Sequence, residues 1–382
     1  MDTLSLALFW SMVALITYTY VGYPLVILLL GTIIRRRVDR RPIEPTVTFL
    51  ITAYNEEKNI AQKLENTLSL DYPHEKLDVL VALDGSTDRT EDIVRGFADR
   101  GVRVVRVDGR VGKTETQNQA VKHAKGEVII FSDATTRYEL GNIRAFVRNY
   151  ADPTVGAVSG CYSYHNPTGA TIGVGNILFW KFENFIKTSQ TRIRTLTGCC
   201  GCIYSVRRAL YKPLPADIIS DLVEPLKILE SGYRIGFEPE AVAYEETTES
   251  ASEEFRMRIR VISRGMRGLL MMRTLFNPFR YGFVAFQLFS HKLLRWLVPI
   301  FLIVLLGASA ALAHIPFYRV ALVLQLAFYG CALVGWMMEK MRLKMKVFAV
   351  PLYFLTVNIA SLISLYKTLR GYKAVTWETV RR

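Results

Sequence analysis

The sequence predicts an α/β domain built on a mainly parallel sheet and fastened to interfacial and transmembrane α-helices. Three observations carry this expectation. Residues 3–34, 296–318, 320–338 and 347–366 contain no Asp, Glu, Lys or Arg, and each stretch approaches the roughly 20 apolar residues that cross a bilayer. Between the first two, residues 42–250 mix apolar runs with Gly, Asp, Asn and Lys in the manner of an aqueous domain. Inside that domain, short β-branched runs alternate with helical patterns, as in a parallel sheet covered on both faces. With 51% hydrophobic residues in a chain of 382, disorder is excluded.

The first apolar stretch has no basic leader, is too long for a signal core, and runs into Arg35-Arg36-Arg37-Val38-Asp39-Arg40-Arg41 rather than a cleavage site. Residues 1–41 are therefore expected to be a retained anchor. The flanks at residues 35–41, 339–346 and 367–382 carry net charges of +4, +3 and +4, which by the positive-inside rule puts the domain in the cytoplasm beneath a cell membrane crossed several times. With a further +4 on residues 253–273 these segments sum to +15, so the rest of the chain contributes about −1 to the formal charge of +14. The basic character thus belongs to membrane flanks, and no nucleic-acid partner is expected.

Strands are expected at residues 47–51, 79–83, 102–107 and 128–133, with further ones at 155–159 and 203–206. Helices are expected over residues 57–70, from about 89 to 99, over 113–125, and over 221–232, where Gly232 closes the last. In residues 255–273, Phe255, Ile259, Ile262, Met266 and Leu269 fall on one helical face and Arg256, Arg260, Arg264 and Arg267 on the other, the pattern of a helix in the membrane interface. The expected order is an anchor (1–41), the α/β domain (42–250), interfacial helices (251–291), two transmembrane helices (292–346) and a last membrane segment with a basic tail (347–382). Four full crossings would place that tail outside, so three crossings plus an interfacial or re-entrant segment at 347–366 are expected.

The chemistry-bearing residues sit where strands end. Glu56, Asp84 and Asp133 each follow a strand, and ligands of open α/β sheets bind beyond those carboxyl ends. Carboxylates there can accept from a base and ribose or hold a divalent cation, while Lys113 can neutralise a diphosphate. An Asp after a strand also serves as a turn former or helix cap, so it is the joint placement that points to a site. Gly112-Lys113-Thr114 is not the end of a P-loop, because Val107 stands where that motif needs Gly. No GxGxxG follows the first strand, which argues against a dinucleotide oxidoreductase. The five Cys form an odd set with no disulfide framework; Cys199-Cys200-Gly201-Cys202 supplies one CxxC without a partner pair and is expected to be a tight turn of small residues. His165, His291 and His314 are expected at the surface, an interface or the core.

In order and spacing, Ala53-Tyr54-Asn55-Glu56, Asp84-Gly85-Ser86-Thr87-Asp88, Gly112-Lys113 with Asn118, Ser132-Asp133-Ala134-Thr135, and Ser220-Asp221 before a helix ending at Gly232-Tyr233-Arg234 resemble the motifs of family 2 glycosyltransferases. The membrane-bound cellulose, hyaluronan and poly-N-acetylglucosamine synthases are the most similar type, over about residues 45–270. The resemblance implies a GT-A fold in which Ala53, Tyr54, Glu56 and Asp84 hold uridine, Lys113 contacts the diphosphate, and Asp133 binds Mg²⁺ or Mn²⁺. It also implies that Asp221 is the catalytic base of an inverting transfer from a UDP-sugar to a growing polysaccharide or other glycan acceptor. Three departures stand out. Thr135 occupies the second DxD position. Val261-Ile262-Ser263-Arg264-Gly265 keeps the Arg of Gln-x-x-Arg-Trp but loses the Trp on which an acceptor sugar would rest. Trp377, Thr379 and Arg381 resemble the Trp-Gly-Thr-x-Arg gating loop that covers the bound nucleotide in these synthases, with Glu378 in place of the Gly. Single transfer to a lipid-linked acceptor and, less favoured, a nucleotide-sensing scaffold are the competing readings, with oligomers or synthase partner subunits left open.

Overall fold

The computed structural model describes residues 2–373, 375 and 376. Helices α1 (Asp2–Thr17) and α2 (Tyr23–Ile33), joined through a single π-helical turn, form one apolar rod. Then follow β1 (Val47–Ala53), α3 (Ile60–Leu68), β2 (Leu77–Asp84), α4 (Thr90–Arg95), β3 (Val102–Val107), α5 (Lys113–Val121) and β4 (Val128–Asp133). Next come β5 (Arg137–Tyr138), α6 (Asn142–Val147), β6 (Val155–His165), α7 (Thr171–Ile193), β7 (Ile203–Arg207), α8 (Ser220–Glu230) and β8 (Arg234–Glu246). The chain ends in α9 (Ala251–Met271), two short helices α10 (Pro278–Tyr281) and α11 (Phe283–Gln287), then α12 (Leu294–Ala311), α13 (Pro316–Lys340) and α14 (Ala349–Leu369).

The eight strands make one sheet in the order β3-β2-β1-β4-β7-β6-β8-β5. β1 pairs in parallel with β2 and β4, and β2 with β3. β7 then runs antiparallel to both β4 and β6. The sheet is thus mainly parallel, as expected: β3-β2-β1-β4 are all parallel and β6 pairs in parallel with β8, while β7 and the short edge strand β5, not anticipated from sequence, run antiparallel to their neighbours. All seven residues of β1 are buried, as a central strand covered on both faces must be. Val47, Phe49 and Ile51 enter one core and Leu50 the opposite one, the two-residue alternation of a pleated strand.

Among the described residues, four helical rods are long and apolar enough to cross a membrane: Asp2–Ile33, Phe283–Ala311, Pro316–Lys340 and Lys346–Leu369. The last contains no re-entrant break. Pro351 falls in the first turn of α14, where its missing N–H costs little, and Asn358 Nδ2 donates to the Phe354 carbonyl.

Helix α9 departs from expectation in its surroundings. It has the length expected from its periodicity, yet Ser263, Arg264 and Gly265 are buried along with Ile262, Met266 and Leu269. Helix α14 lies against it, with Ser364 Oγ donating to the Ile259 carbonyl, and Leu269 joins Leu222 and Val223 of α8 in a shared core. A hydrophobic stripe identifies the face that seeks cover, and here Arg264 of the polar face is covered as well, while Arg256 stays exposed.

Candidate active site

The four strands β1, β2, β4 and β7 bring the candidate residues to one rim. Ala53 ends β1 and is buried. Tyr54 follows it, and the Arg110 guanidinium stacks 4.0 Å from its ring centroid. Asn55 adopts a left-handed φ of 52°, a conformation Asn tolerates, and its Oδ1 accepts from Thr87 N at 2.8 Å. That bond locks the loop after β1 to the loop after β2. Glu56 Oε2 accepts from Asn59 Nδ2 at 2.8 Å. Burial pushes the Glu56 carboxyl up to about 7, the Asn59 bond opposes this, and the charge of Asp133 adds to it.

Asp84 is fully buried. Its Oδ1 accepts from Val111 N at 2.8 Å, Gly112 N at 3.0 Å and Thr116 Oγ1 at 3.0 Å. The carboxylate thus holds the start of α5, where free N–H groups and the helix dipole favour a negative charge. Asp84 shapes the loop that carries Arg110 and Lys113. Gly112, with φ of 92°, has no room for a Cβ because the Val375 carbonyl packs against it. The C-terminal segment therefore returns to this loop; Trp377, Thr379 and Arg381 lie outside the described residues.

Lys113 and Asp133 form an ion pair across the rim, with side chains 23% and 35% exposed. Burial alone would lower the Lys113 pKa, but the Asp133 carboxylate outweighs it and the ammonium is held above its ordinary range. Lys113 Nζ also donates to the Gly201 carbonyl at 3.3 Å. On the other side of Gly201 stands Asp221: a Cβ at Gly201 would lie 2.9 Å from Asp221 Oδ2. The Cys199–Cys202 turn is thus the spacer between the charged pair and the candidate base, with Cys200 and Cys202 sulfurs 3.5 Å apart as free thiols.

A proline fixes that spacing. Pro225 sits inside α8 and cannot donate the helical bond that the Asp221 carbonyl would otherwise accept. Cys199 N donates to that carbonyl at 2.8 Å instead. Burial raises the Asp221 pKa, while Lys113 and then Lys292 oppose the rise.

Arg264 is buried. Its Nη2 donates to Thr114 Oγ1, Ala216 O and Ile218 O, at 2.9, 3.0 and 2.6 Å. It clamps α9 onto the start of α5 and the segment before α8. At the next position, a Cβ on Gly265 would lie 2.9 Å from Cη2 of Trp296, so an indole from the membrane helix fills the space beside this backbone.

Several residues near the rim were not singled out from sequence. Glu245 on β8 accepts from Thr135 Oγ1 at 2.8 Å, placing a carboxylate beside the Thr at the second DxD position. Lys63 is buried, donates to Thr136 O at 2.8 Å and lies 4.2 Å from the Tyr138 ring centroid, so it supports the turn after Asp133. Glu224, one turn beyond Asp221, is buried and accepts from Tyr204 OH at 2.9 Å. Behind the turn, Glu183 of α7 pairs with Arg295 and, at 3.3 Å, with His291 Nε2, which places His291 in the interface between α7 and the membrane rod. Only the repeat of distant strands and helices around the sheet creates these pairs, and spacing along the chain carries no trace of them. Among the described residues, no group of three His, Cys, Asp or Glu side chains is placed to hold a metal ion by itself.

Comparison with known proteins identifies the class. Residues 48–214 match the model of glycosyl transferase family 2, and the chain carries a family 2 glycosyltransferase domain with a GT-A fold. It is 28% identical over 234 residues to a poly-beta-1,6-N-acetyl-D-glucosamine synthase of Staphylococcus aureus, a match covering 59% of this chain and 55% of that one. The match thus spans about half the length of those relatives. It is 22% identical over 322 residues to an N-acetylglucosaminyltransferase of Rhizobium meliloti, covering 80% and 75% of the two chains. Among solved structures, the mannosyltransferase PcManGT from Pyrobaculum calidifontis, in complex with GDP-Man and Mn²⁺, superimposes with a TM-score of 0.71 at 23% identity and covers 95% of this chain and 99% of its own. That likeness extends the shared fold from the sheet to the membrane helices.

Proposed function

We propose that the protein is a membrane-bound, inverting glycosyltransferase that passes a sugar from a UDP-sugar to a growing cell-surface polysaccharide or glycan acceptor. The observation that carries this reading is the grouping of Lys113, Asp133 and Asp221 around Gly201. The acceptor hydroxyl gives its proton to the Asp221 carboxylate as its oxygen attacks the anomeric carbon, and the bond to the diphosphate breaks with release of UDP. A buried base with a raised pKa is well matched to that proton transfer near neutral pH. The leaving diphosphate gains negative charge, which Lys113 lies ready to stabilise.

Asp133, paired on one side and partly exposed, presents a hard oxygen donor that suits Mg²⁺ or Mn²⁺ when phosphate oxygens and water complete the shell. When bound, such an ion neutralises the leaving diphosphate. The UDP assignment rests on the resemblance of the motifs to those of the synthases, whereas the mannosyltransferase of similar fold holds GDP-Man.

For the topology we favour three crossings with α14 along the membrane boundary. Just before this helix Met345 N donates to Thr171 Oγ1 of α7, and just after it Tyr372 O accepts from Arg267 of α9. Ties from both ends of α14 to helices α7 and α9, which lie outside the four candidate spans, support this reading.

A second reading, addition of one sugar to a lipid-linked acceptor, is favoured by Gly265, where the acceptor-bearing Trp of the synthases is missing. Mass analysis of products made by the purified full chain separates the two. A ladder of oligomers supports polymerisation, and a single addition supports the second reading.

A further inference from the structure

The structure assigns a second ligand site to this chain: a cleft of arginines at the foot of the first membrane rod that binds the anionic headgroup of a bilayer phospholipid. The cleft has a volume of about 610 Å³, and neither Lys113 nor Asp133 is among its lining residues. Arg35, Arg36, Arg37 and Arg40, just beyond α2, line it together with Arg192 near the end of α7. No Asp or Glu is among its lining residues. Among the described residues, Arg35, Arg36, Arg37 and Arg192 have no carboxylate within ion-pairing distance, and only Arg40 approaches one, Glu238 at 3.6 Å.

The backbone that carries these exposed cations is held in place. Arg36 N donates to the Arg192 carbonyl at 2.9 Å, which staples the segment after α2 to the end of α7. Higher up, Gly31 lies against the Ser189 carbonyl and keeps the two helices in contact. Beneath them Arg234 donates to the Arg194 and Arg36 carbonyls at 2.9 and 3.3 Å. Like charges fixed at this density repel one another unless an anion sits among them, and the planar guanidinium fork matches phosphate oxygens.

A different feature selects a lipid over a free phosphate. Val21, Leu25, Leu29 and Ile33 are exposed at 51, 51, 62 and 77%; their four-residue spacing makes one apolar stripe on the helical rod that ends at the arginines. Leu178 and Phe185 are exposed on α7, seven residues apart and so on one face, with Arg192 seven residues further on. An apolar track leading to a cationic cradle at the end of a membrane rod suits acyl chains below a phosphate headgroup.

The test uses the full chain purified in neutral detergent, with retained lipid read by native mass spectrometry. Phosphatidylglycerol and phosphatidylcholine are offered in equal amounts to the wild type, to R36Q/R37Q/R192Q, and to R342Q/K344Q/K346Q, which removes the same charge from another membrane flank. The wild type and the second triple variant are expected to retain phosphatidylglycerol about tenfold over phosphatidylcholine, and the first triple variant to lose that preference. R192Q alone, at an exposed helix end, is expected to lose several-fold and serves if the triple variant does not fold. Equal loss in both triple variants, no loss in either, or no preference in the wild type would overturn the site. Displacement of the lipid by millimolar inorganic phosphate as effectively as by added phosphatidylglycerol would reassign the cleft to a free anion and overturn the lipid.

Discussion

Gly201 faces Asp221 so closely that a methyl group on its Cα would come 2.9 Å from Oδ2 of the carboxylate. The nearest atom is the end of a side chain, which can swing aside, so the fold tolerates the change. Gly201→Ala is expected to lower kcat about tenfold or more by displacing the base, since small misplacements at a reacting centre are costly, while Tm moves by less than about 3 °C. Steady-state rates alongside a thermal melt check this. A large loss of Tm with normal kcat would mean that the contact is structural only.

Pro225 leads to an opposite pairing of effects. A proline inside a helix costs about 3 kcal/mol relative to alanine, yet here it leaves the Asp221 carbonyl free for Cys199 N. Pro225→Ala is expected to raise Tm and lower kcat, because the new N–H competes for that carbonyl and loosens the turn that spaces Asp221 from Lys113. A melt and a rate measurement on the same preparation suffice.

The sequence made the first half of this site legible and left the second half hidden, and the reason is physical. Strands β1 to β4 are short apolar runs that each end in turn-forming polar residues, so Glu56, Asp84, Lys113 and Asp133 could be placed on one rim from local pattern alone. The approach of Gly201 to Asp221, the reach of Glu245 to Thr135 and the burial of Arg264 join segments between 20 and 150 residues apart, and no local periodicity encodes such partners. Helix α9 shows the limit well: its stripe predicted the helix and its apolar face, whereas α14 and α8 decided that Arg264 would be enclosed.

Glu224 supplies a pH dependence. Burial pushes its carboxyl up to about 8, with the Tyr204 hydroxyl opposing the rise. A carboxyl whose folded pKa lies above its unfolded value of 4.5 binds more protons in the native state between those two pH values. Stability from this group is therefore present below pH 4.5 and is lost as pH rises towards 8. Glu224→Gln keeps a neutral side chain of the same shape. Its Tm is expected to fall less than that of the wild type between pH 6 and pH 8, by about 4 °C. Parallel slopes for the two proteins would show that Glu224 is ionised when folded.

Gly265 tests why the Arg264-Gly265 pair departs from the synthase pattern. The Trp296 indole already occupies the space beside this Cα, with Cη2 at 2.9 Å. Gly265→Trp is expected to destabilise by about 2 kcal/mol or more through overpacking. The double change Gly265→Trp with Trp296→Ala should recover most of it. Chemical denaturation of the four proteins of this cycle measures the coupling directly; additive losses would show that the two positions are independent.

The measurement that bears most directly on the central claim compares wild type and Asp221→Asn, purified in detergent, for UDP release across a panel of UDP-sugars with Mn²⁺ or Mg²⁺, with UDP affinity measured on the same samples. The account predicts release above background with a correct donor and acceptor for the wild type, and a loss of at least about a hundredfold in Asp221→Asn, with UDP affinity unchanged. Transfer by Asp221→Asn at the wild-type rate would contradict the assignment of Asp221 as the base.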